Sequence, residues 1–263
     1  MAKMELNFIG KDSVPFHNEY DIPDDVAAVL KGIIGDRDQN EEIFQAGSGD
    51  VNAFLKGCFD FMTPKLFRTA WGTKLLMEEL QAHPCNPKMT DAQKKAVYNN
   101  AALEVSKKLN HQRNVAKNYK EQIEKADTRI SDAKQKNAEL KTKIMEQLKK
   151  LETEMKTAKK CLTGERLELK LKQIKEKKDN LKKRLEKSDA RIEKLELDKD
   201  FRKNTKNIAI GTAKSAYSDP RAAYSWCADN GVDIGFIYSK GLQTKYTWAE
   251  GTDPDYWKKF PNV

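Results

Sequence analysis

Apolar residues recur at every seventh position over two long stretches of this chain. The first series is Ile123, Ile130, Ile144 and Leu151, and Asn137 fills its one polar position. After Gly164 the repeat resumes at Leu167, Ile174, Leu181 and Leu195, joined by Leu171, Leu185 and Ile192. A seven-residue apolar repeat is typical of helices that pair along a seam. The sequence therefore predicts two helices, broken at Thr163-Gly164, that form an antiparallel coiled-coil hairpin. A buried Asn137 would fix the register of this pair at some cost in stability.

The hairpin region also differs in composition from the sequence on either side. Residues 114–200 contain no proline, a single glycine and a single aromatic residue, Tyr119. They carry 26 Lys and Arg against 18 Asp and Glu, a net charge of +8, whereas the whole chain has a net charge of +9. Two interpretations stay open, and the first is favoured for most of these residues: a solvated charged surface, or a basic rod that lies along a DNA duplex and slows its motion.

The flanking segments have the mixed pattern of globular structure. Leu6 and Phe8, a turn at Gly10-Lys11-Asp12, then Val14 and Phe16 predict a β-hairpin with a lysine near its tip. Helices are predicted over residues 26–34, 50–61 and 63–80, and from Thr90 towards His111. Near the C-terminus, Trp226, Trp248 and Trp257 predict a small aromatic-rich helical core, since no basic stripe alternates with them.

Together these elements predict a mainly α fold in three parts. Residues 1–113 form a helical subdomain with a small β-hairpin, residues 114–200 the basic antiparallel coiled coil, and residues 201–263 a small helical domain. The net charge of +9 favours nucleic acid or an anionic membrane surface as partner. No run of about 18 apolar residues is present, so no membrane-spanning helix is predicted, and the N-terminus lacks the apolar stretch of a secretory leader.

The cysteines and histidines do not form a metal-binding pattern. Cys58, Cys85, Cys161 and Cys227 are scattered, without a Cys-x-x-Cys pair, and the chain has only three histidines. We expect reduced thiols in a cytosolic or nuclear protein, and no metal site.

Tyr217 is the strongest candidate for a catalytic residue. It lies between the break at Gly211-Thr212 and the turn at Asp219-Pro220. A free phenol is a poor nucleophile at neutral pH because its pKa is about 10. It becomes useful when cations hold both the developing phenolate and a phosphate that it attacks, a reaction that also needs a proton donor for the leaving alkoxide.

Three further side chains suit those roles. Arg68 would offer a planar guanidinium to the phosphate, His111 would donate a hydrogen bond to a nonbridging oxygen, and Lys11 would protonate the leaving 5′ oxygen. Each also has a structural interpretation: a surface ion pair for the arginine, a helix cap for the histidine, a solvated hairpin tip for the lysine, and a tyrosine packed beside a turn. Composition and spacing alone favour these structural interpretations.

A resemblance to a known family, which recurs in order over nearly the whole chain, favours the catalytic interpretation of these residues over the structural one. Phe8-Ile9-Gly10-Lys11-Asp12-Ser13, Lys65-Leu66-Phe67-Arg68-Thr69, and Tyr98-Asn99 followed by Asn110-His111-Gln112-Arg113 are each similar to segments of eukaryotic nuclear DNA topoisomerase I, the type IB enzymes. Ile210-Gly211-Thr212, Lys214, Tyr217 and Asp219-Pro220-Arg221 resemble the tyrosine motif of that family, and Trp226-Cys227 continues the match. That family also has a long coiled-coil linker between its histidine and its tyrosine.

The resemblance implies a DNA strand transferase that relaxes supercoils without ATP, metal or another cofactor, in the nucleus, with double-stranded DNA as partner. It implies Tyr217 as nucleophile, Arg68 and His111 as phosphate ligands and Lys11 as general acid. The DNA contacts that it implies are Asp12, Asn110, Gln112, Arg113, Thr212, Lys214 and Arg221. It does not extend to Ala216, where the family usually has the asparagine that lines the site of camptothecin-type drugs.

The family has another catalytic arginine upstream of the lysine hairpin. This chain therefore resembles the C-terminal part of such an enzyme: the end of the catalytic core, the linker and the tyrosine domain. We expect an N-terminal topoisomerase segment or subunit as a partner, and almost no activity without it. The alternative hypothesis is a non-catalytic basic coiled-coil module that binds DNA or a partner helix.

Overall fold

The structure is a computed structural model that describes residues 1–10, 13, 15–38 and 41–259. Contacts divide it into two compact units that are discontinuous in sequence: residues 1–84, 98–115 and 207–263 form the first, and residues 85–97 and 116–206 the second. The predicted mainly α fold is confirmed, because helices dominate and the described strands form a single two-stranded sheet. The three-part division at residues 113 and 200 remains a prediction.

In the first unit, the chain begins with the predicted hairpin. Strands β1 (Ala2–Ile9) and β2 (Pro15–Ile22) pair antiparallel, with Phe8 opposite Phe16. Lys11 and Asp12, predicted for the tip of this hairpin, lie outside the described residues. Helices α1 (Asp24–Ile34), α2 (Ser48–Cys58) and α3 (Pro64–Ala82) follow. The latter two begin and end within about three residues of the predicted bounds.

Helix α4 (Asp91–Lys108) ends before the histidine that it was predicted to approach. Asn110 has a φ of 55°, in the left-handed region, so the helix cannot continue through it. The chain turns back at this point, and the His111 N–H donates to the Ser106 carbonyl oxygen at 2.8 Å. His111 consequently lies in a short extended segment beyond the helix.

The C-terminal part of the first unit is built of short helices. They are α7 (Ile210–Ala216), α8 (Pro220–Asn230) and α9 (Lys240–Lys245), with single 3-10 turns at Ile234–Phe236, Thr247–Ala249 and Tyr256–Lys258. Trp226 is fully buried, and its ring lies 5.3 Å from that of Tyr98, whereas Trp248 is exposed. The predicted aromatic core is therefore confirmed for Trp226 and Trp257, and Trp248 lies outside it.

The second unit contains the predicted long hairpin. Helices α5 (Tyr119–Cys161) and α6 (Gly164–Asn204) pack along a seam in which Ile144 and Leu151 meet Ile174 and Leu181. Ion pairs Lys134–Glu196 at 2.7 Å and Lys141–Asp189 at 3.1 Å join residues early in α5 to residues late in α6, as an antiparallel pair requires. The break falls at the predicted Thr163-Gly164, where Gly164 has a φ of 61°.

The polar position of the heptad series is buried as predicted. Asn137 is 5% exposed, and its amide nitrogen donates to Asp189 Oδ1 at 2.7 Å. Its own Oδ1 has no hydrogen-bond partner among the described residues. The side chain thus links the two helices at one defined register while it leaves a buried acceptor unsatisfied, which is unfavourable.

Cys58, Cys85, Cys161 and Cys227 are free thiols, and burial raises the pKa of the Cys227 thiol to about 12. Of the helices in the described ranges, none is both long enough and apolar enough to cross a membrane.

We predict that Asn137→Leu stabilises the hairpin by about 1 kcal/mol, because it removes a buried unsatisfied acceptor from an otherwise apolar seam. Urea unfolding of the chain measures this change. Asn180→Leu, at an exposed position of α6, is the control and should change the free energy of unfolding by less than about 0.5 kcal/mol. A net loss of stability in Asn137→Leu would show that the contact with Asp189 outweighs the unsatisfied oxygen.

Candidate active site

Tyr217 lies directly after α7, at a junction between two short helices. Its N–H donates to the Ala213 carbonyl oxygen at 3.1 Å, and its side chain is half-buried. The next helix begins immediately afterwards because Asp219 caps it: Asp219 Oδ1 accepts from the Arg221 N–H at 2.9 Å, and Pro220 occupies the first helical position. The tyrosine is therefore fixed by defined backbone on both sides.

Helix α3 packs against the backbone at this junction. A Cβ atom at Gly72 would overlap the Tyr217 carbonyl oxygen and would approach Leu109 Cδ1 at 3.0 Å, so only glycine allows the helix to come so near. The hydroxyl of the next residue, Thr73, accepts from the Asp219 N–H at 2.9 Å. One turn earlier, the Thr69 hydroxyl donates to the Ala216 carbonyl oxygen at 3.4 Å. Helix α3 thus contacts the tyrosine segment at Ala216, Tyr217 and Asp219.

The same helix brings cations to the tyrosine ring. The Arg68 guanidinium carbon lies 4.8 Å from the ring centroid of Tyr217, and the Lys65 ammonium 5.7 Å from it. Arg68 also donates to the carbonyl oxygen of Leu109, at the end of the segment that leads to His111. This bond holds the planar guanidinium beside the phenol ring.

His111 also lies beside the Tyr217 ring, in a segment held by a short stretch of paired backbone. Gln112 and Ile208 form an antiparallel bridge, the Ala209 N–H donates to the His111 carbonyl oxygen at 2.7 Å, and the Arg113 N–H donates to Asn207 at 2.9 Å. The bridge ties the histidine segment to the chain that enters α7. As a result, the His111 and Tyr217 ring centroids are 5.1 Å apart with the planes inclined by 34°.

The imidazole is electrically neutral at physiological pH. His111 is 6% exposed, and this burial, together with the nearby charge of Arg68, lowers the pKa of the imidazole from 6.5 to about 4. Neither ring nitrogen has a hydrogen-bond partner among the described residues. A neutral imidazole carries one N–H donor, so the ring keeps a donor that a ligand beside Tyr217 can use.

The structure therefore brings together three of the four predicted catalytic residues: Tyr217, Arg68 and His111. Lys11, the fourth, and Asp12 lie outside the described residues. Of the other predicted DNA contacts, Gln112, Arg113 and Thr212 are exposed and Asn110 is half-buried.

Lys214 and Arg221, also predicted DNA contacts, have partners within the protein. Lys214 is buried, with its ammonium 2.6 Å from Asn99 Oδ1. Arg221 forms an ion pair with Asp219 at 2.6 Å and stacks over the Tyr256 ring, its guanidinium carbon 4.9 Å from the centroid. The ion pair raises the pKa of Arg221.

Several residues that shape the site were not assigned a role from the sequence. Gly72, Thr69 and Thr73 act through the backbone of the tyrosine segment, and Lys65 adds a second cation. The only signal for them was a glycine in the middle of a predicted helix, which indicates a close backbone approach. Within the described ranges, no three His, Cys, Asp or Glu side chains come close enough to hold a metal ion.

A phenol flanked by a guanidinium and a neutral imidazole defines a class of site that can hold a phosphate beside a tyrosine oxygen. Comparison with known proteins is in accord with that class. A family model described as "Eukaryotic DNA topoisomerase I, catalytic core" matches residues 1–144, more than half of the chain, and one described as "C-terminal topoisomerase domain" matches residues 189–258. The chain belongs to the eukaryotic DNA topoisomerase I family.

Individual relatives match over almost all of this chain. It is 32% identical over 256 residues to DNA topoisomerase 1 alpha of Arabidopsis thaliana, which covers 97% of this chain and 26% of that protein. It is 29% identical to human DNA topoisomerase 1, covering 96% and 31%, and 30% identical to the rat protein named "DNA topoisomerase I, mitochondrial", covering 94% and 39%. The chain thus spans between about a quarter and two fifths of the length of these relatives.

We predict that Gly72→Ala lowers the free energy of unfolding by about 1–3 kcal/mol, because the added methyl group must displace the backbone of Tyr217. Gly57→Ala, in α2, is the matched control, since nothing lies within 4 Å of its Cβ position. It should be neutral or stabilising by up to about 1 kcal/mol. Equal effects of the two substitutions in urea unfolding would contradict the close approach of α3.

His111 should make stability depend on pH. Its pKa in the folded chain, about 4, lies below the ordinary 6.5, so the unfolded chain binds more protons between these values. The contribution of His111 to stability is therefore complete above pH 6.5 and is lost as the pH falls towards 4. The stability difference between wild type and His111→Gln should shrink over this window.

An NMR titration of the imidazole checks the cause directly. The midpoint should lie near pH 4 in the wild type and rise only partway in Arg68→Met, because burial is the larger of the two causes. A wild-type midpoint above pH 6 would refute the neutral, buried imidazole.

Proposed function

We propose that this chain is the tyrosine-bearing part of a type IB DNA topoisomerase that relaxes supercoiled DNA. Tyr217 attacks a backbone phosphate in one strand of a duplex. The phenolic oxygen forms a bond to phosphorus, the bond to the 5′ oxygen breaks, and a 3′-phosphotyrosyl linkage and a free 5′ hydroxyl result. The duplex rotates about the intact strand before the hydroxyl attacks the phosphotyrosine and restores the strand. The observation that carries this proposal is the close contact of the Tyr217 ring with both Arg68 and His111.

Arg68 and His111 serve the nonbridging oxygens of the reacting phosphate. These oxygens carry the negative charge of the transition state, and preorganised donors stabilise that charge most effectively where water is largely excluded. The guanidinium offers two donors in a fixed plane, and the neutral imidazole offers one. A bound phosphate would oppose the effect of the Arg68 charge on His111, so the pKa of the imidazole should rise when DNA binds.

Lys11 is proposed as the general acid for the leaving 5′ oxygen, and Asp12 as a neighbouring DNA contact. Both assignments rest on the resemblance of their segment to the lysine hairpin of the family. The antiparallel pairing of β1 and β2 forms the hairpin that this resemblance predicts.

No cofactor is proposed for this reaction. The phosphotyrosyl bond retains the free energy of the phosphodiester, so religation needs no nucleotide. The stabilisation that a metal ion gives in many phosphoryl transfers falls here to the fixed cations and donors of the protein.

DNA binding is proposed for two surfaces that are described separately. In the first unit, Asn110, Gln112 and Arg113 are sequence neighbours of His111, and Thr212 belongs to the helix that ends at Tyr217, so they can reach the phosphates next to the cleaved one. In the second unit, the net charge of +8 on residues 114–200 provides a sequence-independent attraction to a duplex, which weakens as salt rises.

The catalytic centre is proposed to be completed by an N-terminal core segment that carries another arginine, on the same polypeptide or as a subunit. An apolar surface of the first unit supports this. Helix α2 has no buried residue, although an isolated helix of 11 residues is marginal in water. Around it and on the first turns of α3, large apolar side chains are exposed, namely Phe44, Phe54, Phe59, Phe61, Phe67 and Trp71. Such a surface requires a partner, and it continues into the helix that carries Arg68.

Nuclear localisation is proposed from family membership. The rat relative whose name includes "mitochondrial" makes that organelle the alternative.

We predict that Tyr217→Phe abolishes covalent capture of a suicide DNA substrate by the protein assembled with its N-terminal core segment, while the dissociation constant for uncleaved duplex stays within about two-fold. The ring and its packing survive this substitution, and only the nucleophilic oxygen is lost. Capture is measured by the shift of labelled DNA on a denaturing gel.

Tyr224→Phe is the matched control, because Tyr224 lies seven residues further along and also offers a phenol. It should keep capture near the wild-type rate. Capture by Tyr217→Phe at the wild-type rate would assign the nucleophile to another phenol. Absence of capture in the wild-type assembly would favour the non-catalytic DNA-binding module.

A further inference from the structure

Lys214 is the one buried lysine among the described residues, and it belongs to the helix that ends at the nucleophile. Only 8% of its surface is exposed. Its ammonium lies 2.6 Å from Asn99 Oδ1 and 5.3 Å from the centroid of the Tyr98 ring, both on α4. Lysine is rarely buried, because an ammonium group loses its hydration and must be compensated by partners. A side chain whose role was to bind a DNA phosphate would gain nothing from this burial.

The contact joins the two segments that carry the reacting groups. Lys214 precedes Tyr217 by three residues within a helix of only seven. Asn99 lies on the helix whose C-terminal end leads into His111. A displacement of α7 relative to α4 would therefore change the distance between the phenol and the imidazole.

Other hydrogen bonds to α7 come from the α9 side and from α3. The Tyr246 hydroxyl and the Lys245 ammonium donate to the Ser215 carbonyl oxygen from the α9 side, and Thr69 donates to Ala216 from α3. Each of these bonds ends on a backbone carbonyl near the C-terminal end of the helix. The bond from Lys214 to Asn99, by contrast, is a side-chain contact that joins α7 to α4.

We propose that Lys214 is a positioning residue that holds the Tyr217 helix on α4 through Asn99, and that it is not a ligand of the DNA phosphates. The effect of Lys214 on catalysis rests on the proposed function of Tyr217 as the nucleophile. The structural part of the proposal, the anchoring of α7, is independent of any activity.

Amide hydrogen exchange on the 263-residue chain tests the anchoring without DNA. Lys214→Met keeps the aliphatic length and removes the charge, and Asn99→Leu removes the acceptor. Each substitution should speed amide exchange of residues 211–217 at least about 10-fold, while exchange of α8 stays unchanged. The double variant should exchange little faster than either single variant, because the two substitutions remove the same contact. Asn99→Asp retains an acceptor oxygen and should exchange like wild type. Lys240→Met, at an exposed position of α9, is the control.

Unchanged exchange at residues 211–217 would overturn the proposal. So would equal effects of Asn99→Leu and Asn99→Asp, since the acceptor oxygen would then be irrelevant. The pair of substitutions at Asn99 keeps the test decisive if Lys214→Met fails to fold.

The assembled protein tests the consequence for chemistry. Lys214→Met should slow single-turnover cleavage about 10- to 100-fold, because a small misplacement of a reacting group has an effect of that size. Its affinity for uncleaved duplex and the salt dependence of that affinity should stay unchanged. A fall of the salt slope by about one would identify Lys214 as a phosphate ligand and refute the proposal. Absence of cleavage in the wild type would remove the proposed function, whereas the exchange measurements judge the anchoring separately.

Discussion

The candidate site depends on the close approach of helix α3 to the backbone of Tyr217. Gly72 lets the helix come near enough for Thr69 and Thr73 to bond the residues on either side of the tyrosine. The same approach places the Arg68 guanidinium over the phenol ring, and the charge of that guanidinium helps to keep His111 neutral. One packing contact thus determines the position of the tyrosine, the location of the nearest cation and the protonation state of the imidazole.

Much of the fold could be predicted from the sequence because it depends on local periodicity. The seven-residue repeat predicted both long helices, their break at Gly164 and the burial of Asn137, since a heptad seam defines its own partner surface. The end of α4 could not be predicted in this way. It depends on the left-handed conformation of Asn110, which asparagine tolerates but does not require.

The site was predictable to a smaller extent. Tyr217, Arg68 and His111 are distant in sequence, and only the ordered resemblance to the topoisomerase family grouped them before the structure placed them together. The burial of the Lys214 side chain against α4 could not be predicted, because its position in the motif does not indicate whether it faces solvent or the protein. The contacts of Gly72, Thr69 and Thr73 are with backbone atoms. A pattern of residue types contains almost no information about such contacts.

In the proposed reaction, Tyr217, Arg68 and His111 surround one phosphate. The most direct measurement is a crystal structure of the assembled protein with orthovanadate and a DNA duplex interrupted at the cleavage position. Vanadate adopts the five-coordinate geometry of the transition state. We expect vanadium bonded to the Tyr217 oxygen in an apical position, with Arg68 and His111 donating hydrogen bonds to the equatorial oxygens. Vanadate bound away from Tyr217, or bound there without contact to Arg68 and His111, would contradict the proposed reaction.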